Sequence, residues 1–192
     1  LVPDDVRGWL TVDGVRRRLG VPYDGFEYWR SSPYPLSIMN QDGYQVAREL
    51  HTALGTEFGS DPELQEIFRK GDGIFPWDKV ERFEQVPPGN PKLRQLMKDV
   101  LDDHQAWRIA WMPPSLPYYR PGGDYDRKEI QDFSKRLVFS SWAVVPKAIS
   151  AMVSYEAERR RLEHSPRTVT AYGKRLGGLL RPQMKDGRPG NL

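Results

Sequence analysis

The chain has 192 residues, with 29 lysines and arginines against 26 aspartates and glutamates, no cysteine and three histidines. This length suits one domain or two small ones, and the missing cysteines exclude disulfides and cysteine-ligated zinc, while His51, His104 and His164 lack metal-ligand spacing. The net charge of +3 permits nucleic-acid contact without requiring it; no signal peptide is evident and no apolar run nears the roughly 20 residues that span a bilayer, so a cytoplasmic protein with no membrane partner is expected.

In chain order, Trp9, Leu10, Thr11 and Val12 read as a short extended piece and Asp13-Gly14 as a turn. Arg16, Arg17 and Arg18 then occupy about one and a half helical turns closed by Gly20, a solvated basic face. Asp24 caps an aromatic-rich helix carrying Phe26, Tyr28 and Trp29. Pro33 and Pro35 end it, because the residue before each proline is pushed out of the helical region. Tyr44, Ala47, Leu50 and Leu54 share one stripe of a helix stopped by Gly55. Asp61 and Pro62 open another, whose inner side is Leu64, Ile67 and Phe68. Trp77, Val80 and Phe83 mark a third, and the three make a helical subdomain.

Val86-Pro87-Pro88-Gly89 is a stiff boundary. Beyond it Asn90 caps a helix, Pro91 takes the first position, and Leu93, Leu96, Met97, Val100 and Leu101 follow helical spacing to Asp102. Residues 107–112 alternate in part with period two and read as a strand ended by Pro113 and Pro114. Residues 117–126 form a loop whose Tyr118, Tyr119 and Tyr125 either pack on that strand or stack on bases. Asp126 and Glu129 have capping-box spacing before a short helix.

Residues 135–161 organise the rest. Leu137, Val138 and Phe139 form a short β-branched and aromatic run, read as a buried strand, and Pro146 starts a long helix with Ala148, Ile149, Met152, Val153 and Ala157 inside. Helix N-terminal N–H groups lack intrahelical partners and carry partial positive charge, so this strand-to-helix junction suits a phosphate. Ser140, Ser141, Trp142 and Lys147 surround it: two hydroxyls, a stacking indole and an ammonium. The same serines are also ordinary helix caps, and the tryptophan an ordinary core residue. Arg159 and Arg160 open a basic stretch that continues past Arg161 to Arg188. There a helix from Ser165-Pro166 would turn Val169, Tyr172, Leu176 and Leu179 to one side and basic groups either to solvent or to phosphate. Residues 187–190 read as flexible. Helical and strand patterns alternate, which favours an α/β fold, predominantly helical.

RLVFSSW followed by a helix ending in SYEAERR resembles motif IV of superfamily-2 helicases, the first strand and helix of the second RecA-like lobe, in the Swi/Snf-like branch. Asn90-Pro91-Lys92-Leu93 is similar to the helix preceding that lobe, and residues 30–39 and 107–123 resemble segments of large bacterial helicase-related proteins, often found with phage-defence or restriction functions. The resemblance implies a helical insertion over residues 1–86 and the start of a RecA-like, P-loop NTPase-type lobe over 90–192. It also implies a fragment, since Leu1 is not an initiator methionine and the motifs expected to follow Gly190 are missing. Under it, Ser140, Ser141, Trp142, Lys147, Arg159 and Arg160 bind nucleic acid, DNA rather than RNA. ATP and magnesium then serve the parent protein, and the remaining helicase lobes are partners.

The sequence has no G-x-x-x-x-G-K-[ST] loop, no acidic magnesium-holding box, and no GxSxG or HExxH motif, so the chain alone is expected to bind no cofactor and to catalyse nothing. The rival reading is a non-enzymatic basic domain that binds nucleic acid or a protein.

Overall fold

A computed structural model describes residues 1–22, 25–39, 43–55, 61–70, 73–109 and 122–164, together with the backbone of 184–185 and 188–189. Among these residues the protein is predominantly helical.

Helix α1, Pro3–Leu19, is continuous where an extended piece, a turn and a short helix were expected. Pro3 sits in its first turn, Asp4 and Asp5 lie where the helix dipole favours acids, and Gly20 closes it in the left-handed region. Burial overrides the Asp13-Gly14 turn signal. Val12 and Val15 are fully buried, Gly14 faces Ile67, where its bare Cα permits close packing, and Asp13 pairs with Arg16 and Arg17. Arg18 reaches Asp61 and Glu63.

Helix α2, Phe26–Arg30, and helix α3, Pro35–Ile38, flank the proline-rich turn; the Asp24 cap lies outside the described residues. Helices α4, Gln45–Leu54, and α5, Pro62–Lys70, both pack on α1, and α6 spans Trp77–Glu81. Helix α7, Pro91–Met97, starts as the sequence indicates, with the Asn90 side chain accepting the Leu93 N–H at 2.8 Å. It then widens into a π-helical turn over Lys98–Asp103. Helix α8 is one turn, Lys128–Gln131, begun at Arg127 with no side-chain cap, so the Asp126 capping box does not form. Helix α9, Val144–Glu163, is the longest element described.

Both expected strands need correction. Ala106–Arg108 is a 3-10 turn entered through Gln105 at φ 46°, and it buries Trp107; residues 110–121, with most of the tyrosine loop, lie outside the described residues. Residues 137–139 carry no regular structure and are exposed, Leu137 by 67% and Phe139 by 86%. A strand needs a neighbour for its N–H and C=O groups, and the only pairing among the described residues is between β1, Met184–Lys185, and β2, Arg188–Pro189. Strand β2 falls in the segment read as flexible. The helix expected from Ser165 lies outside the described residues.

Two apolar clusters hold the helices together. One gathers Val12, Val15, Leu36, Tyr44, Leu50 and Leu64; the other gathers Tyr34, Phe75, Leu93, Leu101, Met152 and Tyr155. The second draws on both sides of Pro87-Pro88, because Tyr34 donates its hydroxyl to the Pro87 carbonyl at 2.9 Å and Tyr155 donates to the Glu84 carbonyl at 2.7 Å. Helix α9 serves both, through Val145 in the first and Ala148, Met152 and Tyr155 in the second.

Candidate nucleic-acid interface

The predicted site residues fall into two groups on α9. Ser140, Ser141, Trp142 and Lys147 gather at its N-terminal end. Arg159 and Arg160 lie at least three turns on, about 18 Å further along the axis from Lys147 at 1.5 Å per residue.

At the N-terminal end Ser140, Ser141 and Lys147 are all exposed. Ser140 Oγ accepts the Trp142 N–H at 3.1 Å, a serine turn that leaves the hydroxyl hydrogen able to donate outward. The first turn of α9 has no side-chain cap and no acidic residue, so nothing on the helix itself opposes an anion there. Trp142 behaves differently. It is half-buried, its ring edge-on to Tyr44 at 6.2 Å, and it anchors the junction to the first cluster.

The arginines are engaged within the protein. Glu156, only 3% exposed, accepts from Arg159 Nε at 2.8 Å and Nη2 at 3.0 Å and from Arg160 Nε at 2.8 Å. Arg160 also donates to the Leu101 carbonyl at 3.0 Å and to Asp102 at 2.5 Å, tying α9 to the π-turn. The Glu156 hydrogen bond raises the Arg159 pKa above its ordinary value, so the guanidinium stays charged. Sequence spacing carried this signal, since Glu156 stands three and four residues before the two arginines.

Beside the junction lies an open apolar groove of about 400 Å³. Leu96 and Val100 form one wall, Ile149 and Val153 of α9 the other, and Leu137 and Val138 the lip. The π-turn carries Asp99, which Arg136 Nε meets at 2.6 Å. This contact holds the Asp99 carboxyl below its usual range despite partial burial. The sequence reading assigned Ile149 and Val153 to the core and missed that they border an opening. The adjacent cation pair Lys135-Arg136 was the available clue.

Among the described residues no group of three or more histidine or acidic side chains is placed to hold a metal, and no helix is long and apolar enough to cross a membrane. Compared with known proteins, the chain matches no family model, and neither a curated protein nor a solved structure is significantly similar to it.

Proposed function

We propose that this chain is a helical part of an ATP-dependent, Swi/Snf-like DNA translocase, holding the nucleic-acid backbone and coupling the motor's lobes. The observation that carries the reading is the accessibility of Ser140, Ser141 and Lys147 around an uncapped, acid-free first turn of the 20-residue helix α9. Hydroxyls, an ammonium and a helix N-terminus are the donors that grip phosphates without reading bases. Trp142 fixes the junction in place, and Arg159 and Arg160 brace α9.

The finer fold belongs to the same proposal: the chain is the start of a RecA-like lobe whose sheet is completed elsewhere in the longer protein. ATP and Mg²⁺ act elsewhere in the longer protein, because this sequence has no phosphate-cradling loop for them. The test is a DNA-binding titration across salt concentration, paired with ATPase assays of the longer protein. DNA affinity that falls steeply with salt, and ATP turnover stimulated by DNA, are expected. A chain with no affinity for DNA at low salt would sink the reading.

A further inference from the structure

The groove beside α9 has a wall that offers backbone as well as side chains. Among the described residues, no backbone–backbone hydrogen bond engages residues 135–139, all five are exposed, and Leu137 and Val138 line the groove. Leucine, valine and phenylalanine in sequence favour the pleated conformation, so this stretch, irregular on its own, is free to pair with an incoming strand beside an apolar slot. Its volume of about 400 Å³ lies within the about 300–1,000 Å³ of clefts that hold ligands.

Charge selects the occupant. Among the described residues, the only charged ones lining the groove are Lys135 and Arg136. Arg136 is already half-neutralised by Asp99, whereas no ion pair occupies Lys135 among the described residues. With Asp99 already answering Arg136, a segment crossing this rim meets the positive charge of Lys135. We propose that the groove docks an extended segment of a partner protein, with apolar and acidic residues alternating, that pairs with the backbone of residues 135–139. Its apolar side chains enter between Val100 and Val153, and its acids face Lys135. Main-chain hydrogen bonds supply affinity in this mode, and the alternate side chains supply specificity. The surface is separate from the Ser140, Ser141 and Lys147 grip and does not depend on it.

The probes are a fluorescein-labelled octapeptide alternating valine and glutamate and its lysine counterpart, read by anisotropy with the full chain. Saturable binding of the glutamate peptide, at least about tenfold tighter than the lysine peptide, is expected from charge complementarity. Val138→Pro removes a backbone donor and Leu137→Asp puts charge on the lip; both positions are exposed, so circular dichroism should show an intact fold while affinity drops about tenfold or more. Lys135→Glu should abolish the preference for the acidic peptide. The proposal is overturned if neither peptide binds, if both bind equally, or if Val138→Pro binds like the parent. Two further outcomes overturn it by naming another occupant. One is a concentration-dependent dimer in sedimentation that Val138→Pro dissolves; the other is single-stranded DNA binding that Leu137→Asp abolishes. Peptide binding without DNA binding would retain this surface and remove the translocase reading, and the converse would do the reverse.

Discussion

Asp5 and Arg94 lie 89 positions apart in the chain and meet in a two-pronged ion pair, Arg94 Nη2 to Oδ1 at 2.6 Å and Nη1 to Oδ2 at 2.9 Å. Asp5 is only 1% exposed, and it also accepts the Val2 N–H at 2.9 Å. The pair pins the first turn of α1 to the first turns of α7, across the proline boundary.

Removing Arg94 would leave a buried carboxylate with one remaining donor. Loss of a partner from a buried pair costs about 3–5 kcal/mol, and the side chain of Arg94 is 34% exposed, so solvent screening brings the expected cost of Arg94→Ala to about 2 kcal/mol. Urea denaturation should show it as a lower midpoint with an unchanged slope.

The same pair sets an acid limb. Hydrogen bonding to Arg94 outweighs burial and holds the Asp5 carboxyl below its usual value. A depressed folded-state pKa contributes stability that is complete above the unfolded value, about 3.9, and is lost as pH falls through the folded one. Thermal melts from pH 6 downward should therefore show the parent losing this contribution below about pH 4, while Asp5→Asn starts lower and declines less.

Gly89 tests the boundary itself. Its φ is 75°, and an added Cβ would stand 2.6 Å from the Tyr34 ring, the ring whose hydroxyl holds the Pro87 carbonyl. Gly89→Ala combines backbone strain of about 1–3 kcal/mol with displacement of an aromatic from the second cluster. A fall in melting temperature with reduced near-ultraviolet dichroism is expected.

Legibility followed the range of the interaction. Helices α4, α5 and α7 were readable because their signals are local: Gly55 after the last turn, Asp61-Pro62 before the first, Asn90 three residues ahead of Leu93. The turn read at Asp13-Gly14 was a correct local signal overruled by distant partners, Ile67 among them. Leu137, Val138 and Phe139 have strand composition, yet pairing is non-local and no neighbouring strand is present among the described residues. The site divided in the same way. Ser140, Ser141 and Lys147 are exposed, whereas the arginine run looked like a patch because the burial of its counter-ion, Glu156, comes from tertiary packing that sequence spacing does not show.

That difference separates the two sets of cations by experiment. Each phosphate neutralised in duplex DNA contributes about 0.9 to the slope of log affinity against log salt. If Lys147 grips phosphate, Lys147→Ala should flatten the slope by about that amount and leave the melting temperature near the parent value, since the side chain is exposed. Arg159 contributes through Glu156 and Glu163 instead. Arg159→Ala leaves Glu156 with Arg160 as its remaining arginine, so it should lower the melting temperature and leave the salt slope alone. An unchanged slope in Lys147→Ala together with a flattened one in Arg159→Ala would reverse the assignment and move the grip to the far end of α9.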